Sequence, residues 1–358
     1  MTELGGGAGI KRVTLIDVAR HAGVSTAAVS YVLNGRGGVG QETRQRVLRS
    51  AEELRFRPNL LATGLRQGRS KVLGLLLADI ANPFYPEFAS GVLAAASEYG
   101  YEVFLAHTGD QRSAQEREVR ALLDHRCDGL VFTTLTAADR PLLDELLTAR
   151  VPFVQAIRRV SGVAADFVGS NDESGAYEAV NHVLSLGYRD VALIVGPQVS
   201  SASHDRATGF RRALGEAGVE VTEDSYLECE LSHHGGYRSC ELLLSRRGAP
   251  RAIACGNDVI ALGVIDALMD AGLRVPRDVA VIGYDDMSFA ASRLVELSTV
   301  RQPRRRIGAE AVRLLVERIE NPTRPPTELV LPHGLVVRRT CGARLRRRKP
   351  VTATSARR

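Results

Sequence analysis

Several polar side chains in the second half of the chain are of the types that hold a small, hydroxyl-rich ligand. Arg206 lies in the segment DRATGF, Asn257 follows the apolar run AIACG, and Asp285 follows VIGY. A guanidinium, an amide and a carboxylate can each hold neighbouring hydroxyl groups, and an aromatic ring such as that of Tyr85 can cover an apolar face. We therefore expect a cage for a small polyol or nucleoside.

The same residue types are compatible with a purely structural arrangement. Arg206 and Asp285 would then form an ion pair that braces the cleft. Asp258 and Asp286 would cap the helices that follow them. Both interpretations stay open at the level of the sequence.

Catalytic and cofactor motifs are missing from the sequence. No GxGxxG segment follows the first apolar run, and GGGAGIK near the N-terminus does not end in the GK[ST] of a phosphate-binding loop. His233 and His234 lack metal-ligand spacing, and no motif pairs a nucleophile with a base. Five cysteines are scattered along the chain, and no two form a CxxC pair: Cys127, Cys229, Cys240, Cys255 and Cys341. This pattern predicts reduced thiols with a structural role. We expect no enzyme, no metal and no cofactor.

Residues 14–34, TLIDVARHAGVSTAAVSYVLN, contain two short helical patterns that meet at a glycine. Gly23 allows a sharp reversal, and Ser25 is suited to cap the second helix. The second helix turns small, polar and aromatic side chains outward: Thr26, Ala27, Ser30 and Tyr31. This layout is typical of a helix-turn-helix, whose second helix lies in the major groove of DNA. An ordinary helical hairpin with a glycine turn is the alternative interpretation.

A third helix over 42–54 is predicted to complete a three-helix core. Its apolar residues recur at helical spacing: Val47, Leu48, Ala51 and Leu54. Thr43 and Arg44, at the start of this helix, are placed to contact DNA phosphates.

The segment 58–68, PNLLATGLRQG, predicts a short helix that forms only on binding. Pro58 ends the preceding helix, Asn59 is suited to cap a new one, and Gly68 to end it. A helix this short is marginal in water, and Gly64 in its interior costs about 1 kcal/mol more. We expect the segment to be disordered in the free protein and to fold against DNA and a partner copy.

From Lys71 onward, short apolar runs alternate with amphipathic helical patterns, which is typical of an α/β fold. The strand candidates are VLGLLLADI, YEVFLAHT, GLVFTTL, PFVQAI, DVALIVG, AIACG and VAVIGYD. Near-continuous apolar runs favour parallel strands that are covered on both faces. Ligands of such sheets bind where loops leave the carboxyl ends of the strands, and several of the polar residues above follow such runs.

Charge is spread unevenly over the chain, whose formal net charge is +6. Residues 11–69 contain eleven Lys and Arg against four Asp and Glu, and residues 344–358 contain seven basic residues and no acidic one. Residues 70–343 therefore have a net charge near −7. A basic head on an acidic body is what the neutralisation of phosphates at one end requires.

No run of about eighteen apolar residues occurs, so no membrane segment is predicted. Residues 1–11 lack the apolar core of a secretory signal. We expect a cytoplasmic protein that associates with the nucleoid.

The motifs VTLIDVARHAGVS, VSYVLNG, ETRQRVL and RPNLLATGLRQGRS resemble those of the lactose/purine repressor family of bacterial transcription regulators, and further motifs cover nearly the whole chain. The resemblance implies a small all-α helix-turn-helix head and an α/β bilobal core, like that of periplasmic binding proteins, with two doubly wound parallel sheets. The implied divisions are a disordered N-terminus (1–11), the helix-turn-helix domain (12–57), a hinge helix and linker (58–70), an effector-binding and dimerisation domain (71–343) and a basic disordered tail (344–358). The first lobe of the effector-binding domain would comprise 71–169 and 302–330, and its second lobe 170–301 and 331–343.

The resemblance assigns contacts with DNA residue by residue. It implies base contacts by Thr26, Ala27 and Tyr31, phosphate contacts by Thr14, Ser30, Asn34 and Thr43, and a minor-groove hinge of Asn59, Ala62 and Leu65. Leu65 would wedge open the central base step and kink the duplex; an ordinary linker leucine is the alternative. Tyr31 stands where many relatives carry an arginine, so a phenol replaces a bidentate contact with guanine. Gly40 stands where a serine commonly caps the third helix.

The resemblance also implies an effector site between the lobes, formed by Tyr85, Asn171, Ser200, Arg206, Leu231, Asn257 and Asp285. Leu231 stands where some relatives place a large aromatic residue, and Arg304 where others bury an apolar residue beside the ligand. A leucine in place of an aromatic ring, together with the added positive charge of Arg304, is compatible with a phosphorylated or carboxylated effector.

The sequence thus predicts a DNA-binding regulator, with repression as the preferred mode of action, that binds a palindromic operator as a homodimer. Two copies are expected because one head covers too few base pairs, and their contact is expected on outer helices that include 86–99 and 259–272. A small-molecule effector, a sugar or sugar derivative, would modulate the affinity for double-stranded DNA. A purine- or nucleoside-responsive corepressor-type regulator and an activator are the alternatives. A secreted sugar receptor would share the two lobes but have no use for a basic helical head.

Overall fold

The computed structural model describes residues 13–33, 37–56 and 69–343 of the 358-residue chain. They belong to two compact units, which meet between Ser70 and Lys71. No helix within the described ranges is long and apolar enough to cross a bilayer.

Three helices form the first unit: α1 (Leu15–Ala22), α2 (Thr26–Leu33) and α3 (Gln41–Glu53). A reciprocal capping box begins α1: the hydroxyl of Thr14 accepts from the backbone N–H of Asp17 at 3.4 Å, and the carboxylate of Asp17 accepts from the backbone N–H of Thr14 at 2.9 Å. The helix ends at Gly23, whose φ of +63° reverses the chain. Ser25 Oγ then accepts from the N–H of Ala28 at 3.2 Å and caps α2.

The core of this unit consists of small and β-branched side chains: Val18, Ala19, Ala22, Val29, Val32, Val47 and Ala51. The placement of Leu48 in this core is wrong, because Leu48 is 48% exposed. Successive helical residues point about 100° apart, so Val47 and Ala51 face inward while Leu48 points outward. Ser50, rather than Leu48, is buried beside them.

The second unit begins with β1 (Val72–Leu77), α4 (Phe84–Glu98), β2 (Glu102–His107), α5 (Arg112–Asp124), β3 (Gly129–Phe132), α6 (Arg140–Thr148), β4 (Phe153–Ala156) and β5 (Asp166–Ser170). It continues with α7 (Asp172–Ser185), β6 (Val191–Val195), α8 (Ser201–Glu216), β7 (Tyr226–Glu228), α9 (His233–Arg247), β8 (Ala252–Cys255), α10 (Asp258–Asp270) and β9 (Ala280–Ile282). It ends with β10 (Thr299–Arg301), α11 (Arg304–Glu320), β11 (Glu328–Leu331) and β12 (Gly334–Val336).

These strands form two parallel sheets and one antiparallel pair. The first sheet has the order β11-β5-β4-β3-β1-β2 and the second the order β7-β6-β8-β9, while β10 pairs with β12. Every pairing within the two larger sheets is parallel. We call the parts around these sheets the first lobe and the second lobe.

Helices cover both faces of each sheet, which confirms the doubly wound α/β architecture. In the first lobe α4 and α11 cover one face, and α5 and α6 the other. In the second lobe α7 and α8 cover one face, and α9 and α10 the other. Burial on both faces explains why most strands are almost entirely apolar.

Two features of the first sheet differ from the sequence prediction. The apolar run of β2 predicts a strand covered on both faces, and this is wrong: β2 lies at the sheet edge, where Phe104 and Leu105 are 43% and 46% exposed. The sequence also gives no signal for β5. That strand begins at the buried Asp166, whose carboxylate pairs with Arg318 and Arg324 at 2.9 Å, so a charged residue occupies a core position.

The chain crosses between the lobes after β5, after β10 and after β11, and these crossings lie side by side. Ser170, at the end of β5, donates to Gln302 Oε1, just after β10, at 2.7 Å. Thr299 and Arg301 of β10 pair in turn with Val336 and Gly334 of β12. The three connections therefore form one region between the lobes, which we call the hinge region and which is distinct from the hinge helix predicted over 58–70.

Two glycines bring the backbones of α4 and α11 into direct contact. A Cβ added to Gly91 would lie 2.0 Å from the carbonyl oxygen of Arg305, and one added to Gly308 would lie 2.3 Å from that of Phe88. Because the obstructing atoms belong to the backbone, any larger residue must separate the helices.

Gly91→Ala is expected to lower the free energy of unfolding by about 1–3 kcal/mol, because the added methyl group overpacks this contact. Urea unfolding followed by circular dichroism measures the change. The control is Gly215→Ala in α8, where no atom lies within 4 Å of an added Cβ and alanine is the better helix former. Equal stability of the two variants would contradict the close approach of α4 and α11.

Candidate functional site

The outward face of α2 carries the residues predicted to contact bases. Thr26, Ala27 and Tyr31 are exposed, Tyr31 by 46%. Val29 and Val32 on the opposite side are buried in the three-helix core, which fixes the direction of this face. The helix has no charged residue, so a base edge can approach it without meeting a charge.

The other predicted DNA contacts are distributed over the first unit. Thr14 is exposed, and its hydroxyl donates to the carboxylate of Asp17 at 2.7 Å. Ser30 and Thr43 are half-buried, and Gly40 precedes α3 without a side-chain cap. Asn34 and the hinge residues Asn59, Ala62 and Leu65 lie outside the described residues.

A cavity of about 40 Å³ lies between the two lobes, and six of the seven predicted effector residues line it. These are Tyr85, Ser200, Arg206, Leu231, Asn257 and Asp285. The wall is completed by Asn82, Phe84, Ile157, Arg158, Ala202 and Ser203. Many of these residues follow the carboxyl ends of strands, where doubly wound sheets hold their ligands.

Asn171, the seventh predicted residue, lies outside this cavity. It is exposed and precedes α7, where its Oδ1 accepts from the N–H of Ser174 at 2.9 Å. Its side chain therefore caps a helix in this structure.

Arg206 is the centre of the polar wall. Its Nε donates to Asp172 Oδ1 and its Nη1 to the carbonyl of Gly256, both at 2.8 Å, and its Nη2 lies 3.2 Å from Asp285 Oδ1. The guanidinium lies over the ring of Tyr284 at 4.0 Å. Burial alone would lower the pKa of Arg206, but the carboxylates of Asp285 and Asp172 raise it above its usual value. Arg206 and Asp285 thus form an ion pair within a cavity wall.

Asp285 has a backbone conformation that side chains rarely adopt, with a φ of +112°. Its N–H donates to the carbonyl of Val300 and its Oδ1 accepts from Gln302 Nε2, both at 2.7 Å. Strained residues of this kind cluster at ligand sites, where their surroundings hold them. Burial raises the pKa of the Asp285 carboxyl, and Arg206 and Arg304 oppose that rise.

The interpretation of Asp258 as a helix cap is wrong. Asn257 caps α10 instead, because its Oδ1 accepts from the N–H of Ile260 at 2.8 Å. Asp258 is buried and accepts from the N–H of Met287 at 2.7 Å and from the hydroxyl of Thr299 at 2.6 Å. Asp258 therefore anchors the loop that follows β9.

Asp286 caps no helix either. Its carboxylate pairs with Arg301 at 2.6 Å and with Arg338 at 2.7 Å. These pairs connect the loop after β9 to β10 and to the segment that follows β12.

Arg158 is the principal cavity residue that sequence reasoning missed. It is buried, and its Nη1 and Nη2 donate to the two carboxylate oxygens of Asp110 at 2.7 and 3.0 Å. Burial also raises the pKa of the neighbouring Tyr85, an effect that Arg158 opposes. A signal was present, because Arg158 directly follows the apolar run PFVQAI, as other site residues follow theirs.

Arg304 is buried but does not line the cavity. Its Nε donates to Glu87 at 3.0 Å, and its Nη2 donates to the carbonyl of Asp286 at 3.0 Å. Its Nη1 donates to the carbonyl of Asp285. The extra cation that the sequence assigns to the ligand is therefore taken by protein acceptors, and Arg304 connects the two lobes.

A fully buried hydroxyl of the cavity wall lacks a hydrogen-bond partner in the described part of the chain. Ser200 Oγ is buried and forms no hydrogen bond within the described part of the chain. Leaving a buried polar group unpaired costs about 1–3 kcal/mol, so this hydroxyl is suited to bond to a ligand atom or a water molecule.

The remaining titratable groups offer no centre for metal or thiol chemistry. In the described ranges, no three His, Cys, Asp or Glu residues are grouped so as to hold a metal ion. The five cysteines are free. Burial raises the pKa of Cys127 and Cys229 to about 11 and that of Cys240 to about 12, so these thiols are protonated at neutral pH.

Comparison with known proteins agrees with both halves of this architecture. Residues 14–59 match the family described as bacterial regulatory proteins, lacI family, and residues 180–341 match a periplasmic binding protein-like domain. The HTH-type transcriptional regulator DegA of Bacillus subtilis (strain 168) is 33% identical, over 91% of this chain and 97% of its own length.

Two solved structures are similar over most of the chain. The lac repressor dimer bound to operator and the anti-inducer ONPF is 28% identical, with a TM-score of 0.84, over 92% of this chain and 99% of its own. The complex of the transcriptional regulator CelR with cellobiose is 34% identical, with a TM-score of 0.71, over 92% of this chain and 100% of its own. The chain is therefore a member of the lacI family of bacterial transcriptional regulators, with a helix-turn-helix DNA-binding domain and an effector-binding domain, and not an enzyme.

Proposed function

We propose that this regulator is a repressor that binds a palindromic operator as a homodimer, and that a sugar or sugar derivative bound between its lobes modulates its DNA affinity. The cavity is the observation that carries this proposal, because both lobes contribute to it. Tyr85 and Arg158 come from the first lobe, and Arg206, Asn257 and Asp285 from the second. A ligand that contacts both lobes binds their closed arrangement better than an open one and shifts the equilibrium towards it.

The proposed organisation assigns residues 12–57 to the DNA-binding domain, 58–70 to the hinge and 71–343 to effector binding and dimerisation. The surplus of seven positive charges over residues 11–69 supports a nucleic-acid partner. Two-fold related copies of one helix-turn-helix suit a palindromic duplex, because one head contacts too few base pairs for useful specificity. A protein that regulates chromosomal genes would act in the cytoplasm.

The chemistry of the cavity wall supports a ligand with hydroxyl groups. The bonds to the Asp285 carboxylate go to Oδ1, which leaves Oδ2 to accept from a ligand. Asn257 uses Oδ1 to cap α10, which leaves its Nδ2 to donate. The rings of Phe84 and Tyr85, 5.4 Å apart in an edge-to-face arrangement, supply an apolar surface. The similarity to a regulator solved with cellobiose favours a sugar.

Arg304 supports a route from the cavity to the surface between two copies. It contacts the backbone of Asp285 and Asp286 and pairs with Glu87 in the first turn of α4. The same helix contributes Tyr85 to the cavity and contains most of the surface 86–99 that we assign to the dimer. Closing the cleft would therefore move α4, and the effector and operator would affect each other's affinity by the same factor.

This linkage does not determine whether the effector raises or lowers the affinity for the operator, and experiment must decide. An inducer would separate the two hinge segments, and a corepressor would bring them together. Operator affinity measured with and without the effector decides between the two.

Tyr31→Ala is expected to weaken operator binding about tenfold or more, because a base contact is worth about 1–3 kcal/mol. Operator duplexes are first selected from a random library with the purified chain, and affinities are then measured by fluorescence anisotropy at fixed salt. Leu48→Ala is the matched control, since Leu48 is similarly exposed (48%) but lies on α3. Unchanged affinity of Tyr31→Ala would exclude α2 as the base-contacting helix.

Leu65→Ala is expected to weaken operator binding while effector binding stays the same. The smaller side chain cannot hold open a base step, so the kinked duplex loses its apolar wedge. Anisotropy measures the first property and isothermal titration the second. If the variant binds its operator as tightly as the unchanged chain, Leu65 is not a wedge.

Asp285→Asn is expected to weaken effector binding about tenfold or more, because hydrogen bonds to charged groups contribute about 1.5–3 kcal/mol. The effector is first identified as the sugar that shifts operator anisotropy in a screen that begins with cellobiose. Asp286→Asn, whose carboxylate pairs outside the cavity, is the control and should respond normally. A normal response of Asp285→Asn would place the effector site elsewhere.

Arg206→Ala is less suitable for this test. It would leave the carboxylates of Asp172 and Asp285 buried without their counter-charge, which costs about 3–5 kcal/mol.

A further inference from the structure

Two buried arginines face the same small cavity from different lobes. Arg158 is 5% exposed and Arg206 is 6% exposed, and both line the cavity. The pKa of Arg158 is raised above its usual value, because Tyr85 and Asp110 outweigh burial and the charge of Arg206, both of which lower it. The two like charges therefore lie on the wall of one cavity, each paired with carboxylates of its own.

We propose that the effector carries an anionic group, a phosphate or a carboxylate, which binds between the guanidinium groups of Arg158 and Arg206. This inference rests on the proposed effector function and specifies the chemistry of its ligand. An anion at this position would contact both guanidinium groups and hold the two lobes together, so the charged group itself would favour the closed cleft.

Both guanidinium groups have donors to spare. Each arginine carries five N–H donors in a planar fork that suits phosphate and carboxylate. Asp110 engages two N–H donors of Arg158. Three donors of Arg206 are engaged, one each by Asp172, Gly256 and Asp285. Three donors of Arg158 and two of Arg206 remain without a partner within the described residues.

Of the three carboxylates that pair with these arginines, only that of Asp285 lines the cavity. Asp110 and Asp172 bind the guanidinium groups but do not line the cavity. Asp285 does line it, but its Oδ1 is engaged by Gln302 and Arg206. The charged side chains that line the cavity are thus two arginines and one aspartate.

Ser200 supplies a further donor for the same group. Its buried hydroxyl has no hydrogen-bond partner among the described residues, and it lines the same cavity. An oxygen of a phosphate or carboxylate would accept from it.

The test uses inorganic phosphate and acetate as probes of the full chain, with chloride of equal ionic strength as the reference. The Tm of the unchanged chain is expected to rise by about 2 °C or more in phosphate, in acetate or in both, at concentrations about tenfold above the Kd. A rise in Tm with phosphate alone would assign a phosphorylated effector, and a rise with acetate alone would assign a carboxylated one. No rise with either anion would overturn the proposal.

Arg158→Gln removes one half of the pair and is expected to abolish the rise. Arg159→Gln is the matched control, because the neighbouring Arg159 pairs with Glu328 and does not line the cavity. The control also measures the general stabilisation that phosphate gives any protein, which is then subtracted. Equal rises in the unchanged chain and in Arg158→Gln would overturn the proposal.

Arg158→Lys is the second variant, in case the glutamine variant does not fold. It keeps the positive charge beside Asp110 but loses the planar fork, so a smaller rise is expected than in the unchanged chain. A rise as large as that of the unchanged chain would count against the proposal. Failure of the chain to select any palindromic duplex would instead contradict the proposed function, and so the two failures are distinguishable.

Discussion

The cavity between the lobes depends on the guanidinium group of Arg206, which two buried carboxylates hold in place. Removing the three charges from water is costly, and the cost is offset because Asp172 and Asp285 pair with one cation. The ion pair also helps to hold Asp285 at a φ of +112°, a conformation that the backbone would not adopt unsupported. The side chains that shape the site are thus the ones that keep its strained loop folded.

Close packing around this network makes each lobe a firm support. In the first lobe Gly91 and Gly308 let the backbones of α4 and α11 touch, so the helix that carries Tyr85 cannot move independently of α11. In the second lobe Asp258 anchors the loop after β9 through Met287 and Thr299. Each lobe therefore presents a preorganised surface to the cavity.

The sequence predicted most of this architecture where a local pattern determines the structure. The turn at Gly23 and the capping role of Ser25 follow from residue type, and the structure has both. Several residues of the cleft, among them Asn257 and Asp285, could be selected because they follow an apolar run. Three of the failures have a common cause: Leu48, β2 and β5 depend on which neighbour covers a surface, and that is decided by tertiary packing.

The cleft shows the same division between local and distant information. Arg304 and Arg158 are both arginines beside the site in sequence, but only Arg158 lines the cavity, because Glu87 and two backbone carbonyls take the guanidinium of Arg304. No spacing rule reports a partner that is 217 residues away.

The hinge region, in which Ser170 bonds to Gln302 and β10 pairs with β12, gives the two lobes a common axis of rotation. Three adjacent covalent connections resist sliding and twisting far more than bending about that axis. Atoms then move in proportion to their distance from the axis, as along a lever arm. A small change of angle at the cleft therefore becomes a large displacement at the far end of each lobe, with no helix or strand having to refold.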